Sequence, residues 1–232
     1  TSNANFVFDG TNLGVGSSTP YRKLSVGGFV NVDGTTGAYQ IDGNTILQAS
    51  STNFSTLVGQ SAGAALTATG LNNTALGYEA LKVTTTGDYN SAQGYQALTA
   101  NTTGSNNSAQ GAFALQTNTT GSNNSAQGVF ALQTNTTGSN NVGVGDSAGS
   151  FNQTGSANVL LGSQAGYGAL FSSSYASSTL LGYKSGYALT TGNNNILLGY
   201  QAGDNVTTGA NNIILGYDID APSATSANTL NI

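Results

Sequence analysis

Asn107-Ser-Ala-Gln-Gly111-Ala-Phe-Ala-Leu-Gln-Thr-Asn-Thr-Thr-Gly121-Ser-Asn123 is followed at once by Asn124-Ser-Ala-Gln-Gly128-Val-Phe-Ala-Leu-Gln-Thr-Asn-Thr-Thr-Gly138-Ser-Asn140, a copy that departs only at Val129. Repetition at a fixed period decides an architecture before any local propensity does. Outward from Gly111, the same glycine recurs as Gly59, Gly77, Gly94, Gly128, Gly145, Gly162, Gly182, Gly199 and Gly216. The steps are 17 residues, except for 18 before Gly77 and 20 before Gly182. Ten coils are implied, and the residues between the glycines have no helical spacing.

Each coil has recognisable parts. A short strand precedes the anchor glycine, as in Asn73-Thr-Ala-Leu, Asn90-Ser-Ala-Gln, Asn158-Val-Leu-Leu and Asn212-Ile-Ile-Leu. Three places after the anchor stands Ala62, Ala80, Ala97, Ala114, Ala131, Ala148, Ala165, Ser185 or Ala202, a slot that must be tight. Most coils then carry a Thr-Thr-Gly turn ending at Gly87, Gly104, Gly121, Gly138, Gly192 or Gly209. Glycine at two fixed phases means two corners that need positive φ or close backbone approach. Two strands of about five residues per coil are therefore expected, each in parallel register with its copy about 4.8 Å away, giving a rod of about 43 Å. Stacked asparagines at the strand start should form a ladder, each amide donating to the next.

Side chains alternate along a strand, so the residues one and three before the glycine share a face and the residue between them takes the other. Ile196-Leu197-Leu198 and Ile213-Ile214-Leu215 are apolar on both faces. In a single solenoid one face points to water, which would leave Val144, Leu161, Leu181, Leu198 and Leu215 as an exposed apolar row. Such rows mark interfaces. The same position holds Gln93, Gln110 and Gln127 in the middle coils. If copies meet there on a symmetry axis, these form polar layers that fix register at a cost in stability.

Composition narrows the function. Charged residues are 6% of the 232, against about 25% in ordinary proteins, yet 38% are hydrophobic, so the chain lacks the signature of disorder. The only cations are Arg22, Lys23, Lys82 and Lys184, too scattered to contact nucleic-acid phosphates or an anionic membrane. No stretch has the roughly 18 consecutive apolar residues of a membrane span. Cys and Met are absent. Disulfides and thiolate metal sites are excluded, and a chain without Met is expected to be a processed or excised piece, with any export signal outside it.

Catalysis has little to work with. There is no His, which removes Ser-His and Cys-His systems. A glycosidase needs two facing carboxylates; Glu79 and Asp88 form the nearest pair and recur in no other coil. The chain is not expected to be an enzyme or to carry a cofactor. A structural calcium ion would fall on Asp218 and Asp220. The sequons Asn101-Thr-Thr103 and Asn118-Thr-Thr120 recur because the repeat recurs. Binding is the stronger expectation. Tyr78, Tyr95, Tyr183 and Tyr200 follow the anchor, and with Phe113 and Phe130 one place later they suggest an aromatic column, packed under a loop or stacking on sugar rings. The alternative is an ice-binding solenoid, using the rank Thr86, Thr103, Thr120, Thr137, Thr191 and Thr208.

At the Asn195-Ile-Leu-Leu-Gly-Tyr-Gln-Ala coil the sequence resembles the head repeats of YadA-like trimeric autotransporter adhesins. At residues 102–115 and 119–132, with the pattern Thr-Thr-Gly-Ser-Asn-Asn-Ser-Ala-Gln-Gly, it more closely resembles tandem repeats of bacterial and phage tail-fibre-like proteins. The resemblance covers about residues 51–220. It implies a left-handed parallel β-roll, a parallel homotrimer and an extracellular fibre on a cell surface or virion, with a cell-surface glycan or receptor as partner. On that reading residues 1–50 are a short-stranded β segment, 51–220 the solenoid and 221–232 a connector toward a C-terminal chaperone. Alternation in Phe6-Val-Phe8 and Gly28-Phe-Val-Asn-Val32 independently supports strands in the first segment.

Overall fold

The computed structural model describes residues 6–8, 13–15, 24–26, 38–41, 44–49, 53–168 and 172–232. The chain divides into two compact units, Thr1–Gly37 and Ala38–Ile232. In the first, β1 (Phe6–Phe8) pairs antiparallel with β2 (Leu13–Val15), which pairs parallel with β3 (Leu24–Val26). The expected strand at Phe6–Phe8 is β1, while the stretch from Gly28 to Val32 lies outside the described residues.

The second unit is a single 13-stranded sheet, all of it wound from one chain. It starts with β4 (Ala38–Ile41) and β5 (Asn44–Ala49), which pair antiparallel with each other and onto β6 (Thr56–Val58). From there every strand is parallel to the last and in register. They are β7 (Thr74–Leu76), β8 (Ser91–Gln93), β9 (Ser108–Gln110), β10 (Ser125–Gln127), β11 (Val142–Val144), β12 (Val159–Leu161), β13 (Thr179–Leu181), β14 (Ile196–Leu198), β15 (Ile213–Leu215) and β16 (Leu230–Asn231). The chain is an all-β parallel solenoid of about ten turns, as the period predicts, with no helix among the described residues. Residues 221–232, read from sequence as a connector, contribute β16 to the ladder.

The second strand expected in each coil does not form. Each coil has one three-residue strand, and the residues after the anchor glycine make a run of turns. In the coil of Gly111, Phe113 and Leu115 lie in the left-handed region at φ 60° and 50°, which a strand cannot accommodate. The N–H groups of Ala114, Gln116 and Asn118 donate to the carbonyls of Gly111, Phe113 and Leu115 within the coil. The intervening N–H groups leave it: Phe113 donates down to Tyr95 O and Leu115 up to Ala131 O. Left-handed backbone costs about 1–2 kcal/mol per non-glycine residue. Paired backbone groups and a buried Leu115 side chain offset that cost.

The two glycine columns are required for different reasons. The anchor glycines combine φ near 140°, as at Gly94 and Gly111, with contact so close that a Cβ on Gly94 would run into the Gly111 carbonyl. At the Thr-Thr-Gly corner only close approach matters, because a Cβ on Gly104 would meet the carbonyl oxygen of Gly121 and Oδ1 of Asn101.

The interior is thin. In the coil of Gly111 it consists of Ala109, Ala114 and Leu115 with the asparagines Asn107 and Asn118, all buried. Later coils move the bulk. The strand centre becomes Leu160, Leu180, Leu197 or Ile214, and the position of Leu115 becomes Gly166, Gly186 or Gly203 in the coils that Gly162, Gly182 and Gly199 anchor. The 20-residue coil also buries Tyr175, whose hydroxyl donates to Gly166 O. Burial pushes that phenol far above its usual pKa.

Candidate functional site

Alternation along the three-residue strands is as the sequence predicts, with the central residue inside and its neighbours outside. The residues just before the anchors line up through consecutive register pairs. Gln93, Gln110, Gln127, Val144, Leu161, Leu181, Leu198 and Leu215 form one outward column. Gln93, Gln110 and Gln127 are exposed, and Gln127 Nε2 donates to Gln110 Oε1 at 3.0 Å. Leu181 and Leu198 are each 41% exposed. Beside them runs a parallel outward row, Val142, Val159, Thr179, Ile196 and Ile213.

The same column extends the other way through Leu76 and Val58, and Leu76 is 49% exposed. These two were not among the residues expected there, although their place before Gly77 and Gly59 is the signal that finds them. The glutamine layers thus lie between apolar layers on both sides.

The aromatic residues form separate stacks, not one column. Tyr78, Tyr95, Phe113 and Phe130 form a run with ring centroids 5.2 Å apart at each step, stacked within Tyr78–Tyr95 and Phe113–Phe130 and edge-on between Tyr95 and Phe113 at 69°. Asp146 and Ser163 then occupy the place after the anchor and end that stack. A second begins at Tyr183, with Tyr200 at 5.3 Å and Tyr217 at 4.9 Å beyond that. A third joins Phe151, Tyr167 and Tyr187 at 4.8 and 5.1 Å. Lys184 Nζ lies 5.3 Å from the Tyr183 ring and 5.2 Å from that of Tyr187. In the parallel pairs the ring faces cover one another, so a single coil presents mainly edges and hydroxyls. Sugar stacking needs an open face, and Tyr217, which ends its stack and is 74% exposed, is the ring best placed to offer one.

The acids are engaged locally. Glu79 accepts from Lys82 Nζ at 2.6 Å and from Gln96 Nε2 at 2.7 Å, and these bonds hold its carboxyl below the usual range. Asp88 accepts the Leu71 N–H at 2.7 Å. Near the last coils, partial burial and then the charge of Asp204 push Asp220 up. Among the described residues no group of three or more His, Cys, Asp or Glu side chains is placed to hold a metal ion; Asp218 and Asp220 do not assemble such a set.

Other expected features have definite places. Asn101 and Asn118, the sequon asparagines, are fully buried with their amides bonded inside the rod. The rank Thr86, Thr103, Thr120, Thr137, Thr191 and Thr208 is exposed at the corner. It is single file, because Thr102, Thr119 and Thr136 beside it turn Oγ1 onto carbonyls of the next coil.

The chain was compared with family models, curated proteins and solved structures. None matches. The function therefore rests on the site.

Proposed function

We propose that this chain is a structural or adhesive segment of an extracellular fibre, built as a parallel homotrimer of left-handed solenoids that meet along the outward column from Gln93 to Leu215. One observation carries the reading: apart from Thr179, the outward sides of β11 to β15 are apolar and partly exposed in a single chain, with Ile196 at 44%, Leu198 at 41% and Ile213 at 39%. A solvated solenoid face has no need of these residues, and exposed apolar rows of this extent mark association surfaces. The resemblance to adhesin heads and tail-fibre-like repeats supports the parallel, threefold form. The setting is a cell surface or virion, where the fibre displays or attaches through a glycan or receptor. The chain acts by shape and assembly, not by catalysis. The ice-binding alternative has only the single-file threonine rank behind it.

Light scattering of the full chain at micromolar concentration tests this. A mass of three chains is expected, and a monodisperse monomer overturns the assembly.

A further inference from the structure

One-electron oxidation is channelled in most proteins to Cys, Met or Trp. This chain has none of the three, and no His, but has 11 tyrosines. Its oxidation chemistry therefore falls on phenols. The fold arranges several of them in exposed face-to-face pairs on successive coils. Tyr78 and Tyr95 stand 5.2 Å apart and 14° from parallel, 39% and 47% exposed. Tyr200 lies between Tyr183 at 5.3 Å and Tyr217 at 4.9 Å, with interplanar angles of 24° and 9°. Because the register is fixed by backbone bonds such as Gly199 N–H to Leu181 O at 2.8 Å, each ring is held beside its copy and not beside a random partner.

We propose that the stacked tyrosines are oxidative cross-linking sites, at which a peroxidase using hydrogen peroxide joins Tyr200 to Tyr183 or Tyr217, and Tyr78 to Tyr95, within one chain. Each phenol gives up one electron and its hydroxyl proton. The two tyrosyl radicals form a bond between ring carbons ortho to oxygen, and each ring regains aromaticity by passing the hydrogen on that carbon to its oxygen. The peroxide takes the two electrons and two protons and leaves as two waters. The product is a covalent staple between neighbouring coils, made in a chain that cannot form a disulfide.

The phenols are accessible at their edges, where the coupling carbons lie. By contrast, Tyr175 is wholly buried with its hydroxyl bonded to Gly166 O and is spared. Tyr89, 61% exposed and outside these stacks, serves as an internal reference for unguided oxidation.

The test treats unlabelled and nitrogen-15-labelled chain, mixed equally in urea and refolded together so that assemblies contain both, with a haem peroxidase and hydrogen peroxide. Dityrosine fluorescence and mass spectrometry of the cross-linked peptides are the readouts. The expected result is peptides two hydrogens lighter that join Tyr200 to Tyr183 or Tyr217 and Tyr78 to Tyr95, with both halves carrying the same label. Tyr200→Phe keeps a ring in the stack and removes the phenol. It should lose the cross-links at Tyr200 and keep the one between Tyr78 and Tyr95. Urea-unfolded chain should lose the preference for these pairs. The proposal is overturned by absence of dityrosine, by predominantly mixed-label cross-links, or by coupling through Tyr89 as frequent as through the stacked pairs.

Discussion

Asn118 shows how much a single buried amide does in this fold. Its Nδ2 donates to Asn101 Oδ1 at 2.8 Å and to Gly121 O at 2.9 Å, and Asn135 Nδ2 donates to its Oδ1 at 2.8 Å. Asn118→Asp keeps the shape but removes both donors and sets acceptor oxygen against Asn101 Oδ1 and Gly121 O. With unpaired buried groups costing about 1–3 kcal/mol each, the variant should lower the urea midpoint clearly, whereas Asn106→Asp at an exposed corner should leave it nearly unchanged. The sequence shows two asparagine columns, and the amide ladder was expected in the other one, at the strand start. There the main bond is different: the backbone N–H of Asn124 takes Asn107 Oδ1 at 3.0 Å, and Asn107 Nδ2 turns to Gly121 O at 2.9 Å. Direct amide contacts appear in that column between Asn107 and Asn90 and between Asn158 and Asn141. In the Asn118 column the backbone N–H is spent inside its own coil, on Leu115 O, so the side-chain oxygen is free for the next amide. Residue spacing alone does not distinguish these cases, because the direction of the backbone N–H decides them. The ladder stops at Asn135, since Asn152 Nδ2 bonds instead to Tyr175 O where the 20-residue coil departs from the period.

At the scale of a coil, the structural unit is one strand, a run of turns and roughly one large aliphatic side chain. Coils from Gly77 to Gly128 place that side chain after the anchor, at Leu81, Leu98, Leu115 and Leu132; the coil of Gly59 and those from Gly162 to Gly216 place it in the strand, and the coils of Gly182 and Gly199 bury a second one, Leu189 and Val206. Between the coils of Gly128 and Gly162, that of Gly145 has glycine at both places, Gly143 and Gly149. The reason is geometric: a Cβ on Gly143 would lie 2.8 Å from Leu132 Cγ, and one on Gly149 would run into Leu160 from the coil above. The two kinds of coil fill the same space from opposite sides, and the junction must stay empty of both. Gly143→Leu alone should therefore be strongly destabilising. Adding Leu132→Gly, which also relieves a residue at φ 49°, should recover part of the loss. A double-mutant cycle in denaturant should show favourable coupling within the range of about 0.5–3 kcal/mol seen for residues in contact, and additivity of the two losses would refute the exchange. The period, the strand position and its inward and outward faces were all legible, because each recurs in every coil. The turn segment was not. Two glycine corners per coil left room for a second strand after the anchor, and only the bonding to the coils above and below holds Phe113 and Leu115 left-handed.

Across the whole solenoid, the outward column runs apolar at Val58 and Leu76, polar at Gln93, Gln110 and Gln127, and apolar again from Val144 to Leu215. This uneven order makes the proposed assembly directional, since only parallel copies in register match glutamine with glutamine and leucine with leucine. Removing apolar surface from water is worth about 25 cal/mol per Å², so in the proposed assembly the C-terminal coils would supply most of the association energy and the glutamine layers would set alignment. Charge placed in the apolar part should separate assembly from folding. In a single chain Leu198 is 41% exposed, so a lysine there reaches water without disturbing Leu197 beneath it. On an axis, three such lysines would be confined together with no counter-ion, a like-charge arrangement that costs heavily once desolvated. Leu198→Lys is expected to reduce the light-scattering mass to one chain while the circular dichroism of the coils is unchanged, and Thr103→Lys, at the exposed corner, is expected to leave the assembly whole. Should both variants keep the mass of three chains, the association surface lies elsewhere; should both lose it, general charge repulsion and not this column controls assembly.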